Sequence, residues 1–150
     1  MITQAIKSRI MANHPKGHPM IIEKTIANWH QLLQQNDPQQ LKQLLADDVV
    51  FHSPVLHTPQ KGKALTTMYL SAAFHVLVNP SFSYKKKILQ GHNAMLEFET
   101  SIDDIHINGV DIIQCNDEGK ITDFKVMVRP LKGLQKLQEK MFELLQHSKN

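Results

Sequence analysis

Residues 49–59 read VVFHSPVLHTP, with Ser53 between His52 and His57 and the acidic pair Asp47–Asp48 just upstream. A serine beside histidines can be a nucleophile with its base. Two imidazoles can be half of a metal site, and a proline-flanked strand end can be the wall of a pocket. A Ser-His-Asp triad needs Ser53, a histidine and a distant carboxylate to converge, yet nothing resembling a nucleophile elbow surrounds the serine. A metal site needs a histidine pair at helical spacing plus a third ligand. His14 and His18 are split by Pro15, and no other pair fits, so no metal and no cofactor is expected.

The carboxylate that stands out is Asp111, which interrupts an apolar strand with Val110, Ile112 and Ile113 around it. Alternation puts it on the face shared by Ile113 and Cys115. His57, beyond the strand end, and His75, near the apolar stripe of a helix, are the candidate bases; a histidine at a pocket rim or on the surface is the plainer alternative. Asp103–His106 (DDIH) falls at a strand junction and reads as a solvated turn. Trp29, Tyr69, Phe74, Phe98, Phe124 and Met127 can line an apolar cavity or be ordinary core. Arg129 can meet an anionic ligand group at the rim or pair with the last helix, and Cys115 reads as an inert buried thiol.

These residues need a scaffold, and 150 residues suffice for one domain with a core of its own. The 41% hydrophobic content is a globular level. One cysteine excludes an internal disulfide framework and suits a reducing, cytoplasmic compartment. No apolar run is long enough for a membrane span. The net charge of +3 is carried by Lys7, Arg9 and Lys16, since the remainder holds 14 basic and 14 acidic residues. A neutral body lacks the basic face that nucleic-acid binding requires.

Residues 1–20 read as an N-terminal arm, with Ile2, Ile6 and Ile10 at helical spacing ahead of the breaker NHPKGHP; residues 21–150 read as the folded domain. A first helix is expected over Ile21–Gln35, with Ile22, Ile26, Trp29 and Leu33 as one stripe. Asp37 caps a short second helix that opens on proline. VVFH is a short strand ended by Ser53-Pro54, QKGK a turn, and residues 63–78 a helix with Leu65, Met68, Tyr69, Ala72 and Val76 on one side. Four strands follow from Ser81 to Val128, the last two joined by NDEG. Pro130 opens a final helix carrying Leu134, Leu137, Met141, Leu144 and Leu145. Helices followed by a run of strands indicate α+β, with helices on one face of a curved antiparallel sheet: a cone, or cystatin-like roll, with an apolar central pocket.

The segments NDPQQLKQLLADDVVFHSP and GVDIIQCNDEGKITDF resemble the nuclear transport factor 2-like superfamily, in particular its SnoaL-like and ketosteroid-isomerase-like branch. The resemblance covers residues 21 to about 130. It makes the Asp111 face concave, where a carboxyl is desolvated, its pKa raised, and able to act as an acid or hydrogen-bond donor. Ketosteroid isomerase uses an aspartate base with an oxyanion hole of tyrosine and protonated aspartate. Matched residue by residue, Ser53 stands at the base position, Trp29 at the tyrosine and Asp111 at the protonated aspartate. Serine has no useful basicity, and an indole only donates.

The resemblance implies a pocket for a small hydrophobic molecule, with Asp111 catalytic beside His57 or His75, and Trp29, Ser53, Tyr69, Phe98, Phe124 and Arg129 toward the ligand. One reading is an isomerase, cyclase or dehydratase acting on a polyketide- or steroid-like ketone. The other is a non-catalytic ligand-binding or dimeric module that has lost the isomerase base. Val110 and Ile112 on the convex face imply a homodimer.

Overall fold

The computed structural model describes residues 20–35 and 37–147. The expected arm and its histidines lie outside the described residues, apart from Met20. Among the described residues, no helix is long and apolar enough to cross a membrane.

Alternation governs the second half of the chain. Strands β3 (Ser83–Gln90), β4 (Asn93–Ile102), β5 (Ile105–Cys115) and β6 (Ile121–Arg129) pair antiparallel in sequence order. On β4, Leu96, Phe98, Thr100 and Ile102 are buried, as their spacing requires, while Met95 and Glu97 face outward. The β4–β5 connection is a two-residue turn of Asp103 and Asp104, at φ 50° and 63°. Aspartate tolerates that left-handed conformation. Asp103 also lies 3.6 Å from Lys136 and 3.5 Å from Lys140, both on the last helix. Of DDIH, Asp103 and Asp104 are thus the turn, while Ile105 and His106 already belong to β5.

The sheet is completed by β1 (Leu45–His52) and β2 (Gln60–Lys61), in the order β2-β1-β6-β5-β4-β3. β1 runs parallel to β6, the one parallel pair in the curved, unclosed sheet. Two boundaries differ from the sequence reading. β1 begins four residues earlier than VVFH, because Leu45 already pairs with Ile121 before a register shift that leaves Asp47 and Asp48 exposed. The start of QKGK is not turn but strand, pairing Gln60 and Lys61 with Phe51 and Val50.

Helices α1 (Ile21–Gln35), α2 (Pro38–Leu44), α3 (Lys63–Leu77) and α4 (Leu131–His147) complete the elements of the described residues. Asp37 accepts the backbone N–H of Gln39 at 2.9 Å, the expected cap of α2. The stripe on α1 is realised at Ile22, Ile26 and Trp29, but its last buried position is Leu32, while the expected Leu33 is only half-buried. Thr25 ties this helix to the β5–β6 turn by donating to the Gly119 carbonyl at 2.8 Å.

On α3 the expected face is wrong. Leu65 and Met68 are 43% and 42% exposed, whereas Thr66, Thr67, Leu70, Ala73 and Leu77 are buried. The helix is apolar around much of its circumference, so periodicity does not choose a side. The threonines bury at low cost because their hydroxyls are satisfied: Thr66 donates to the Gln60 carbonyl at 3.3 Å and Thr67 to the Lys63 carbonyl at 2.6 Å.

Candidate functional site

The concave side of the sheet meets α1 and α3 around a small cavity. Trp29 comes from α1; Leu70, Ala73, Phe74 and Leu77 from α3; Tyr84, Phe98, Asp111 and Phe124 from the strands. Aromatic rings fill most of it. Trp29 lies 4.6 Å from Phe74 and 5.0 Å from Phe124 between ring centroids, and Phe82 stacks on Phe98 at 5.5 Å. Only about 20 Å³ remains free, room for about one water.

Into this apolar space project three polar groups joined in series. The indole N–H of Trp29 donates to the Tyr84 hydroxyl at 2.9 Å, and that hydroxyl donates to Asp111 Oδ2 at 2.7 Å. Asp111 is 6% exposed. Burial pushes its carboxyl up from 3.8 to about 7, against the opposing pull of the Tyr84 hydrogen bond. The carboxyl thus titrates near neutral pH rather than in the ordinary carboxylate range. Burial, and next the neighbouring Asp111 charge, hold the Tyr84 hydroxyl well above the ordinary 10.0. Tyr84 keeps its proton. When Asp111 is neutral, Oδ2 still accepts from Tyr84 and the other oxygen is free to donate to a ligand oxygen.

Tyr84 is the residue that sequence reasoning missed. The register shifts between Tyr84 and Lys86: Tyr84 pairs with Phe98, but Lys86 already pairs with Glu97. A bulge of this kind gives β3 one extra residue. It lets Tyr84 share the inner face with Phe98 while the following lysines are all exposed. The signal available was SFSY itself, where Phe82 and Tyr84 have the same parity. His30 is a second omission. Its ring meets that of Tyr84 edge-on at 5.3 Å, and burial, then Lys87, lower its pKa, so it is neutral at pH 7.

The remaining expected site residues divide sharply. Trp29, Phe98 and Phe124 line the cavity with Asp111, as does Phe74. Ser53 is buried at the end of β1, but its Oγ accepts the Val55 N–H at 3.2 Å in a local turn, and it does not line the cavity. Tyr69 is half-buried against the core on α3, and His57 and His75 are exposed; none of the three lines the cavity. Met127, expected inside, is 52% exposed on the outer face, because β6 alternates from the buried Phe124 and Val126. Arg129 also lies outside, donating to Asn108 Oδ1 at 3.3 Å rather than reaching a rim or the last helix. His52 pairs with Asp123 at 3.0 Å. Cys115 is buried, and burial pushes its thiol up. Among the described residues, no three His, Cys, Asp or Glu side chains gather where they would hold a metal ion.

The model of the SnoaL-like domain family matches residues 26–124. A steroid delta-isomerase from Pseudomonas aeruginosa is 34% identical, with 88% of this chain and 96% of that one covered at a TM-score of 0.81. A bacterial protein with a cystatin-like fold from Silicibacter pomeroyi is 29% identical over 81% of this chain and 85% of its own, at a TM-score of 0.75. An NTF2-like protein of unknown function from Mesorhizobium loti is 20% identical over 78% and 98%, at 0.64. No curated protein matches the chain in sequence. A matched domain model across most of the folded body, and the same cone in these relatives, give one conclusion: the chain belongs to the SnoaL-like family of the nuclear transport factor 2-like fold.

Proposed function

We propose that the protein receives a small, largely apolar ketone whose carbonyl oxygen takes a hydrogen bond from neutral Asp111, and that this polarisation drives an acid-assisted ring closure or dehydration. The observation that carries the reading is the Asp111 carboxyl itself, buried among aromatic rings with a pKa of about 7. A donor held in an apolar site strengthens its bond as charge develops on the carbonyl oxygen. The likeness to a protein named as a steroid isomerase supports the ligand class. The composition of the cavity speaks against the isomerase's own shuttle between two carbons. Among the described residues, Asp111 and Tyr84 are the only titratable side chains lining it, and Ser53 stands where a base would be needed.

In a ring closure, a substrate hydroxyl attacks the far carbon of an enone while the carbonyl oxygen takes the Asp111 proton. The carboxylate then recovers the proton that the attacking oxygen releases, and the enol formed moves its hydroxyl proton to the α-carbon, by way of solvent, to give the ketone. The test is a linear hydroxy-enone that closes to a tetrahydropyranyl ketone, followed by loss of enone absorbance, alongside the melting temperature with androst-4-ene-3,17-dione. Wild type should close the ring and be stabilised by the dione, and Asp111→Asn should lose both. Ligand-induced shifts that survive Asp111→Asn would sink the reading. Shifts without ring closure would establish the second reading, a non-catalytic pocket protein, which the lack of a separate base in the cavity favours.

The outer face supports self-association as a homodimer. Ile88, Met95 and Met127 are 55%, 43% and 52% exposed there, beside Val110 and Ile112 on β5. Glu97 and Glu99 on β4 flank this patch on one side, and Lys125 and Arg129 on β6 flank it on the other. A two-fold axis along β5 lays β4 of one copy over β6 of the other, so the acidic flank meets the basic one. The buried lone thiol agrees with a reducing compartment such as the cytoplasm.

A further inference from the structure

The sheet ends in two edges of unequal length. β2 supplies one and holds only Gln60 and Lys61, whereas β3 supplies the other with Ser83–Gln90. Beyond the bulge at Tyr84, residues 86–90 pair with β4 without interruption, from Lys86 opposite Glu97 to Gln90 opposite Asn93. On the far side of this stretch the backbone N–H and C=O groups meet no further strand among the described residues. A regular, unpaired edge is a template for another strand.

Lys85, Lys86 and Lys87 line that edge, and alternation spreads them over both of its sides. Lys86 lies opposite Glu97 on the outer side, and Lys85 reaches Glu99 there at 3.7 Å. Lys87 lies opposite the buried Leu96, on the inner side. All three are exposed, and among the described residues no carboxylate lies within ion-pair distance of Lys86 or Lys87. Lysines on an edge ordinarily keep other strands away, and here the rejection depends on sign. A second β3 would set lysine against lysine, a repulsive pairing. Residues 1–20, with Lys7, Arg9 and Lys16 and no acid, carry the same charge. An acidic strand meets attraction on both sides, so what excludes the wrong partner also selects the right one.

We propose that the β3 edge binds an acidic peptide in extended conformation, which joins the sheet as a further strand beside residues 86–90. Its backbone takes up the free ladder groups, and its carboxylates meet Lys85 and Lys86 on one side and Lys87 on the other. A nucleic acid would meet the same charge, but it has no alternating N–H and C=O groups to offer the ladder. The edge lies in the plane of the sheet, at right angles to the outer face proposed for self-association.

The test is fluorescence anisotropy with three labelled probes. They are the peptide Glu-Glu-Val-Glu-Glu-Val-Glu, its counterpart Glu-Glu-Pro-Glu-Glu-Pro-Glu, which keeps the charge but cannot complete a ladder, and a short oligothymidylate. The valine peptide should bind about tenfold more tightly than either of the others. Lys85→Gln, Lys86→Gln and Lys87→Gln together should weaken it about tenfold. Lys42→Gln, Lys61→Gln and Lys132→Gln together remove as much exposed charge elsewhere and should leave it within about twofold. Bound valine peptide should slow hydrogen exchange at the amides of residues 86–90. Equal binding of the proline peptide would reduce the edge to a charged patch and overturn the proposal, as would tighter binding of oligothymidylate. Equal effects of the two triple variants, unchanged exchange at residues 86–90, or no binding of the valine peptide would overturn it too.

Discussion

Replacing Asp111 with asparagine should change the pH dependence of stability in a way fixed by the burial of this one carboxyl. The folded-state pKa is about 7, against an ordinary value of 3.8. Well below pH 3.8, Asp111 is protonated in both the folded and the unfolded chain. Between pH 4 and 7 the unfolded chain releases the proton while the folded one keeps it, so wild-type stability falls as pH rises. Above about pH 7 both forms are ionised and the loss is complete. At 1.36 kcal/mol per pKa unit, an interval of about three units comes to roughly 4 kcal/mol. Asparagine does not titrate, so Asp111→Asn lacks this loss. The asparagine amide oxygen can still accept from Tyr84, and any cost of its added N–H groups is independent of pH. The measurement is the unfolding free energy of both proteins by urea titration from pH 4 to 8. The stability of Asp111→Asn minus that of wild type should rise by roughly 4 kcal/mol across that range, levelling off near pH 8. A flat difference, or one that falls with pH, would refute the claim that the carboxyl is held neutral by burial.

Tyr84→Phe removes the hydrogen bond that pulls the Asp111 pKa down, worth roughly 1.5–3 kcal/mol for a charged acceptor. The Asp111 pKa, read from its side-chain carbon by NMR titration, should then rise by about one to two units; a fall would contradict the direction of the Tyr84–Asp111 bond. Gly109→Ala would drive a Cβ into the Phe98 ring and to 2.7 Å from the Met127 carbonyl oxygen. It should cost at least about 1–3 kcal/mol in chemical unfolding, and an unchanged midpoint would show that Phe98 is free to yield. Ile112→Lys places a charge in the middle of the outer apolar patch and should convert a dimer into a monomer on size-exclusion chromatography; the same elution volume as wild type would remove the proposed interface.

Where side chains repeat on a strict period and one face is clearly apolar, the sequence was enough. Most of the α1 stripe, the Asp37 cap, and the alternation that puts Asp111 on one face with Ile113 and Cys115 were legible, and the resemblance made that face the concave one. The face of α3 was not, because its buried threonines satisfy their hydroxyls with neighbouring carbonyls and so behave as apolar residues. Tyr84 was hidden by a tertiary detail, since parity counted back from Lys87 and Leu89 breaks at the bulge before Lys86. Ser53 was read as standing where the isomerase keeps its aspartate base, and its local turn bond to Val55 was invisible. His57 was chosen for its place beyond the VVFHSP strand end and His75 for its place near a helical stripe, and neither lines the cavity. His30, beside Tyr84, was passed over because it sits in an unremarkable stretch of α1.

The alternation of β5 has a consequence for how the chain can change. Asp111 faces the cavity, and Val110 and Ile112, its immediate neighbours, face outward. A single inserted or deleted residue upstream in this strand would exchange the two sets, bringing apolar side chains inside and turning the carboxyl out to water. Length changes in β5 are therefore tolerable only in pairs. Pocket and outer face are inherited together, and a library that varies one through β5 insertions rewrites the other.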